Sequence, residues 1–528
     1  MRRPRLRQLR RVRAAVALLL LAFATLAFLD FGRLPGWVGA AVARLQLVPS
    51  LLALPALGAA LAVAAVAALT LLTGRVYCST VCPLGTLQDL VARLAGRGKK
   101  RARYRYRYRQ PPVTLHLALA AAAGALAVAG PLGMLELLEP FSSFGRIASS
   151  LLRPFSTGLW NALARALSRA HLYAFAPAAA PPVAPGLLVV TALWLVGLVA
   201  LVVLRGRLFC NLLCPAGAVL NLLSRRTALR IGIDEAACDG CGLCEKVCKA
   251  GCIDAARHAV EFPACVGCFD CLAVCPVDAV RVERGLSRRA PAAASGEGGP
   301  ASPDPGRRAL LRAAALAPGV FLVGAGAPAM GPVFGDPRLL PAPITPPGSL
   351  HRFHFTSHCT ACQLCVGACP TQVLRPSLFA YAPDGLLLPR LVYEEGACAY
   401  DCTRCGQVCP TGAIQALPLP ARHLAQVGRA RFVKDDCVVV KKGKACGACV
   451  EHCPTKAITM VPYGPEGGGL RIPEVSEELC IGCGSCEHPC PTRPLRAIYV
   501  EARALHGTAK LAQQAPLAPP PASADFPF

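Results

Sequence analysis

The cysteines of this chain constrain its fold more than any other feature, because most of them occur in six tight groups of four. Three thiolates from one such group bind a single [4Fe–4S] cluster in a short loop, and the fourth binds the neighbouring cluster. A disulfide framework does not have this spacing. Two groups stand back to back in the middle of the chain, at Cys238, Cys241, Cys244, Cys248 and at Cys265, Cys268, Cys271, Cys275.

The crossover rule predicts how these two groups share their clusters. One cluster takes Cys238, Cys241, Cys244 and Cys275, and the other takes Cys265, Cys268, Cys271 and Cys248. Zinc is the alternative, but a zinc site prefers two well-separated pairs of ligands. We therefore expect two clusters in this segment.

Four more groups fill the C-terminal third, and a proline follows the last cysteine of each. Proline cannot continue a helix, so it sets the direction of the chain after the ligand. The nearly equal gaps leave the pairing of these groups open, but about six clusters are expected in all. The four groups are Cys359, Cys362, Cys365, Cys369; Cys398, Cys402, Cys405, Cys409; Cys437, Cys446, Cys449, Cys453; and Cys480, Cys483, Cys486, Cys490.

Five cysteines remain. Cys252 is expected to be a buried structural thiol beside a cluster. The other four lie in two copies of a GRx[YF]CxxxCP motif, as Cys78 and Cys82, then Cys210 and Cys214. Three interpretations of these four stay open: a metal or cluster site, a dithiol redox pair, and the packing of a helix end.

Long uncharged intervals predict membrane helices, since hydrophobic residues make up 54% of the chain and charged residues 16%. An apolar run from about residue 14 to 29 is followed by uncharged intervals between Arg44 and Arg75, Arg109 and Glu136, and Arg169 and Arg205. The fold class predicted is an α-helical membrane bundle of four helices, with a fifth further on, plus α+β ferredoxin-like modules. Basic residues flank the spans, which indicates a cytoplasmic N-terminus and excludes nucleic acid as the partner of the positive charge.

The predicted organisation has six parts. The Arg307-Arg308 pair precedes a weakly apolar run and is similar to a Tat export signal. The parts are a transmembrane domain with both CxxxCP motifs (1–230), a cytoplasmic two-cluster module (231–285), a linker (286–306), a Tat-like or transmembrane segment (307–332), a four-cluster domain (333–505) and a disordered tail (506–528).

These motifs together resemble the NapH family of membrane quinol dehydrogenases, with parts of the layout shared by NosR and CcoG proteins. Residues from Arg307 onward resemble NapG, a Tat-exported four-cluster ferredoxin, so the chain resembles a NapH–NapG fusion. By position, Cys78, Cys82, Cys210 and Cys214 match the paired NapH motif. The chain departs from the pattern at Lys249, where proline usually follows the fourth cysteine.

The resemblance implies an inner-membrane protein that takes electrons from quinol to a periplasmic reductase or cytochrome, such as the nitrate reductase system, with its C-terminal domain in the periplasm. The alternative is a NosR- or CcoG-type factor that reduces a metalloenzyme during its maturation. No CxxCH sequence occurs, so no c-type haem is expected. No residue pattern indicates bond-making catalysis.

Overall fold

The computed structural model divides the chain into two compact units. Unit 1 comprises Met1–Gly331, Arg352–Arg390 and Arg404–Ala416, and unit 2 comprises Pro332–His351, Leu391–Thr403 and Leu417–Phe528. This division differs from the predicted single four-cluster domain at 333–505, because the first cysteine loops of that segment pack with the helices of unit 1. The structure describes residues 3–29, 35–54, 56–96, 106–110, 113–129, 132–173, 176–178, 181, 183–285, 342–382, 384–464 and 469–511.

Unit 1 begins with helices that follow the apolar intervals of the sequence. They are α1 (Arg3–Leu29), α2 (Gly36–Arg44), α3 (Leu47–Leu52), α4 (Leu57–Thr73), α5 (Tyr77–Thr80), α6 (Pro83–Ala95), α7 (Val113–Ala129), α8 (Gly133–Leu138), α9 (Pro140–Ile147), a π-helical turn (Ala148–Leu152), α10 (Arg153–Arg169), α11 (Pro185–Arg205), a second π-helical turn (Phe209–Leu213) and α12 (Pro215–Ser224).

Two of these helices are long and apolar enough to cross a membrane, over Gln8–Leu29 and Pro185–Arg205. The helices at Leu57–Thr73 and Val113–Leu126 are apolar but shorter. Of the four predicted spans, two therefore meet the length criterion. The predicted fifth segment (307–332), its Arg307-Arg308 pair and the linker (286–306) lie outside the described residues.

The internal repeat is visible as two similar helical corners. The long helices α4 and α11 both end at a glycine with positive φ, Gly74 (78°) and Gly206 (67°). A side chain is disfavoured in that conformation, so glycine lets the chain turn back sharply. The amphipathic helices α6 and α12 then begin at Pro83 and Pro215, where a proline lacks only a hydrogen bond that the first helical turn leaves unmade.

The segment after α8 begins with a fully buried stretch. Every residue from Pro140 to Ser150 is buried. Phe141 and Phe144 contact the ring of Phe28 near the end of α1, with centroid distances of 5.4 and 5.9 Å. The more exposed helix α10 follows, so the first part of this segment is the more deeply buried.

The middle cysteine module of unit 1 is small and held by two antiparallel strand pairs. β1 (Leu229–Ile233) pairs with β4 (Val280–Arg284), with Ile231 opposite Val282, and β2 (Ile253–Asp254) pairs with β3 (Ala259–Val260). Two one-turn helices, α13 (Leu243–Val247) and α14 (Asp270–Val274), follow the cysteine loops. Its core consists mainly of cysteines and aliphatic side chains.

The remainder of unit 1 comes from the C-terminal third. It has helices at Arg352–His358, Leu364–Ala368 and Arg404–Val408, and the short strands β5 (Leu374–Pro376) and β6 (Pro389–Leu391). The loop around Cys362 packs against α9: a Cβ on Gly145 would overlap the carbonyl oxygen of Cys362. Arg153 also donates a hydrogen bond to the carbonyl of Val366 (3.0 Å).

Unit 2 contains the last cysteine groups on a pair of hairpin-like sheets. β7 (Ala425–Phe432) pairs with β10 (Ile498–Thr508), and β8 (Ile458–Pro462) pairs with β9 (Arg471–Val475). Helices lie at Leu419–Leu424, Val438–Lys442 and Ala448–Glu451. The predicted disordered tail (506–528) starts too early, because β10 continues through Thr508 and the Ala509 amide donates to the Leu424 carbonyl (2.8 Å).

Candidate metal centres

The structure brings cysteines together across sequence groups, as crossover pairing requires. One cavity in the middle module is lined by Cys248, Cys265, Cys268 and Cys271 together with apolar side chains. This is the predicted second set. In the first set, Cys241 and Cys275 lie within electrostatic range of each other, and so do Cys244, Cys238 and Cys241.

Cys252 also lines this cavity and is fully buried. Its Sγ lies 3.6 Å from the Sγ of Cys248. A hydrogen bond from Cys252 lowers the pKa of Cys248 to about 7, against the effect of burial. The expectation of a buried thiol beside a cluster site agrees with this position.

In unit 2, two cavities resolve the pairing that the sequence left open. The first is lined by Cys437, Cys446, Cys449 and Cys490, and the second by Cys453, Cys480, Cys483 and Cys486. Each cavity combines three cysteines of one group with the last cysteine of the other. The widened first gap of the third group still places Cys437 with Cys446 and Cys449.

The first C-terminal group shows the same pattern within unit 1. Cys409 lies within electrostatic range of Cys359, Cys362 and Cys365. Burial is the main cause that raises the pKa of Cys362, to about 12. Of the four remaining cysteines, Cys369 and Cys405 belong to unit 1, and Cys398 and Cys402 belong to unit 2.

Hydrogen bonds to the sulfur atoms were not anticipated from the sequence, although their signal is present there. A threonine follows each Cys-Pro pair in the four C-terminal groups, and its hydroxyl approaches the preceding cysteine sulfur. The distances are 3.7 Å for Thr371, 3.8 Å for Thr411, 3.7 Å for Thr455 and 3.1 Å for Thr492. In the middle module, Lys249-Ala250 and Pro276-Val277 stand at these places.

Arg422 is another ligand-facing residue that the sequence did not reveal. It is buried, and its Nη2 donates to the Sγ of Cys398 (3.1 Å) while its Nε donates to the Cys402 carbonyl (3.2 Å). A cationic donor stabilises a thiolate, because hydrogen bonds to charged acceptors are stronger than neutral ones. Nothing in the local spacing marks this arginine as special.

The four cysteines of the CxxxCP motifs also come together, in a part of unit 1 that is almost inaccessible to solvent. Cys78, Cys82, Cys210 and Cys214 are each 4–5% exposed. Burial raises the pKa of Cys78, Cys82 and Cys214, and the neighbouring thiols of the same set add to the rise. Cys82 caps α6 by accepting from Gly85 N (3.4 Å), and Cys214 caps α12 by accepting from Gly217 N (3.3 Å).

Lys249, the departure from the expected proline, has a buried structural contact. Its Nζ lies 3.2 Å from Asp89 of α6 and 2.8 Å from Asp270 of the middle module. Burial opposes the charge of Lys249, but Asp89 and Asp270 raise its pKa above the usual range. Burial alone would raise the pKa of Asp89, yet Arg207, Lys249 and Arg13 hold it well below its usual range.

Four thiols around an apolar cavity are the donor set of a [4Fe–4S] cluster. The fold and the cysteine sets therefore define an iron–sulfur protein with several [4Fe–4S] clusters.

Comparison with known proteins supports this class. A family model described as "4Fe-4S binding domain" matches residues 55–102, 187–233 and 405–423, and one described as "4Fe-4S dicluster domain" matches residues 358–413 and 444–493. The methylamine utilization ferredoxin-type protein MauM of Methylobacillus flagellatus is 34% identical over 34% of this chain and 76% of its own length.

Two further relatives come from Escherichia coli. The ferredoxin-type protein NapF is 30% identical over 30% of this chain and 87% of its own length, and the ferredoxin-type protein NapG is 31% identical over 30% and 69%. The chain thus belongs to the family of ferredoxin-type iron–sulfur electron-transfer proteins. No solved structure matches it.

Proposed function

We propose that the chain is a membrane-spanning conduit that carries electrons from quinol through [4Fe–4S] clusters to an acceptor outside the cytoplasmic membrane. The ligand sets are the four crossover groupings described above and the set of Cys238, Cys241, Cys244 and Cys275. Oxidation of one quinol releases two electrons and two protons. Each set of four cysteines would hold a cluster, which would supply one-electron transfer.

The position of cysteine loops at both ends of helix α1 carries this proposal. Near its start, Arg10 lies 3.7 Å from Asp270 of the middle module. Near its end, a Cβ on Gly367, between Cys365 and Cys369, would lie 3.0 Å from the carbonyl oxygen of Phe28. Eighteen residues of α-helix separate these contacts, which is about 27 Å. A hydrocarbon core is about 30 Å thick.

The sequence between the two cysteine regions supports the same topology. The middle module ends near residue 285, and the cysteine loop whose Gly367 contacts the other end of α1 begins at Cys359. The connecting sequence contains the apolar run 309–330 that the sequence predicts as a fifth span. Basic residues cluster near the start of α1, which favours that end as cytoplasmic.

The membrane topology can be tested with a tag after Phe528. We expect external protease to remove the tag from intact spheroplasts of cells with a working Tat system, and to leave it intact in cells without one. A tag protected in both strains would place all the clusters in the cytoplasm and overturn the proposal.

Steady-state turnover separates a conduit from a maturation factor. Purified chain in detergent is expected to oxidise a quinol continuously when a soluble one-electron acceptor is supplied, and the same clusters should be reduced when the acceptor is omitted. A single stoichiometric reduction without turnover would favour the NosR- or CcoG-type alternative.

A further inference from the structure

The two CxxxCP motifs form one shared centre with approximate two-fold symmetry. The Nη2 of Arg75 donates to the carbonyl of Cys210 (2.8 Å), and the Nη1 of Arg207 donates to the carbonyl of Cys78 (3.2 Å). Each motif thus supplies the arginine that holds the first cysteine of the other. Neither motif can form its contacts alone.

Two glycines allow this close approach. A Cβ on Gly85 would overlap the carbonyl oxygen of Cys78, and a Cβ on Gly217 would overlap that of Cys210. The same two Cβ atoms would lie 2.9 Å from the guanidinium groups of Arg207 and Arg75. The Pro-x-Gly sequence after each second cysteine is therefore a steric requirement of the centre.

One of the two arginines beside these thiols lacks an anionic partner. Arg207 is paired with Asp89 (2.9 Å). Arg75 is completely buried, and among the described residues its guanidinium bonds to uncharged acceptors, such as Asn211 Oδ1 (2.7 Å), and to no carboxylate. The Nε atoms of Arg75 and Arg207 and the Nε2 of Gln88 have no hydrogen-bond partner. Gln88 also lies beside the centre, since the Sγ of Cys210 is 3.5 Å from its Oε1. A buried cation without a counter-ion is costly, so these groups point to an anionic occupant.

We propose that Cys78, Cys82, Cys210 and Cys214 hold a further iron–sulfur cluster, between the two halves of the helical domain. A cluster with four thiolate ligands carries net negative charge in its oxidised and reduced states. It would supply the anion that Arg75 lacks, while Arg207 keeps its pair with Asp89. A dithiol pair would use two of the four thiols and leave the charge of Arg75 uncompensated. Packing of the helix ends alone would also leave the charge of Arg75 uncompensated.

The centre is directly connected to the neighbouring cluster set. Asn211, which follows Cys210, donates to the carbonyl of Ala264 (3.2 Å), the residue before Cys265. Ser79, which follows Cys78, donates to the carbonyl of Gly267 (3.4 Å), the residue before Cys268. One electron enters the cluster and one leaves it, without any bond or proton change. The role of this cluster in electron transfer rests on the proposed function. Its presence can be measured without knowing the quinol or the membrane topology.

The test counts iron and acid-labile sulfide in the full-length chain, purified without oxygen. The double variant Cys78→Ser/Cys210→Ser removes one ligand from each motif. We expect it to lose iron and sulfide equivalent to one cluster, while the EPR signals of the ferredoxin clusters persist. Thr80→Ala, a substitution between the two cysteines of the first motif, serves as the matched control and should retain the full content.

Unchanged iron and sulfide in the double variant would overturn the proposal, as would stoichiometric zinc in the wild-type chain with no iron lost in the variant. If the double variant loses every cluster through misfolding, the variant Arg75→Gln tests the proposal instead. This substitution removes a positive charge beside the cluster, so we expect one EPR-detected centre to shift to lower potential with no loss of iron. The absence of any shifted centre would then reject the proposal.

Discussion

At the scale of single residues, the side chains around the sulfurs distinguish the cysteine sets more than the cysteines do. The C-terminal sets each have a threonine hydroxyl near the last cysteine sulfur, and the middle module has none at those places. Hydrogen bonds to sulfur raise the reduction potential of a cluster, because they stabilise its more negative, reduced form. We therefore expect the C-terminal clusters to accept electrons from the middle module.

Thr492 gives the clearest test of this effect, because its hydroxyl is 3.1 Å from the Sγ of Cys490. Thr492→Val should lower the potential of the cluster bound by Cys490, measured by EPR-monitored redox titration. Thr492→Ser keeps the hydroxyl and should leave the potential close to that of the wild type. Equal potentials in the Val and Ser variants would show that this hydroxyl does not tune the cluster.

Lys249 is the second residue with a specific expected effect. Lys249→Met leaves Asp270 with only the more distant Arg10 at 3.7 Å. Removing one partner of a buried ion pair costs about 3–5 kcal/mol. We expect the iron–sulfur absorbance to be lost at a clearly lower temperature in a thermal melt.

The control for Lys249 is the exposed pair of Lys441 and Asp436, whose Nζ–Oδ1 distance is 2.7 Å. Lys441→Met should change the melt little, because an exposed pair contributes about 0–1 kcal/mol. The double variant Lys249→Met/Asp270→Asn should recover part of the lost stability. Equal effects at the buried and exposed sites would contradict the role assigned to Lys249.

At the scale of elements, the sequence revealed the repeated motif but not the contacts that the two copies make with each other. The two copies of the GRx[YF]CxxxCP motif are visible in the sequence, and in the structure α4–α6 and α11–α12 form two similar helical corners around them. The exchange of Arg75 and Arg207 between the corners could not be foreseen, because it depends on how two distant segments pack. The same holds for Lys249, which looked like a local irregularity and is a contact between elements.

The pairing of cysteine groups could likewise be predicted for adjacent groups but not for groups whose pairing depends on packing. In the middle module the two groups are adjacent, so the crossover rule left one solution, and the cavity at Cys248 agrees with it. In the C-terminal third, four groups at similar spacing allowed several pairings. Only the packing of β7–β10 shows that the third and fourth groups share their cysteines.

The glycines of the helical corners provide a test at this scale. Gly85→Ala and Gly217→Ala would each push a methyl group into a backbone carbonyl, so we expect poor yields of folded protein and loss of iron. Gly124→Ala and Gly197→Ala lie in α7 and α11 with no atom within 4 Å of the new methyl group. These controls should be neutral or stabilising, since alanine favours helix more than glycine does.

A corner glycine that accepts alanine without loss of iron would show that the two motifs do not meet as closely as described. Size-exclusion chromatography in detergent and iron content report both outcomes.

At the scale of the whole molecule, unit 1 joins segments from both halves of the sequence. Phe28 and Gly145 from the first half contact the loop that carries Cys362 and Gly367. The predicted boundary at residue 333 was placed where the apolar run ends and the cysteine-rich sequence begins. It missed this division because packing against α1 and α9 leaves no compositional trace.

This contact predicts that the two halves associate without a covalent link. Residues 1–285 and residues 307–528, expressed as separate chains in the same cells, should copurify. Gly145→Val should abolish copurification, because the Cβ of a valine would overlap the carbonyl of Cys362. Gly158→Val, in the neighbouring helix α10 with open space around it, should not.

Retention of the middle-module clusters in the Gly145 variant would show that the first half still folds. Copurification that survives Gly145→Val would show that this interface does not hold the halves together.

The burial of the CxxxCP thiols also determines the order in which the protein can be built. Ser79 and Asn211 bond to the loops that carry Cys268 and Cys265, so the middle module covers the centre once it has docked. Because the four thiols are buried, iron and sulfide for the proposed cluster would reach them only before that docking. If the four thiols hold the proposed cluster, the helical domain would be filled first and covered by the ferredoxin module afterwards, so a variant whose module fails to dock would leave these thiols accessible.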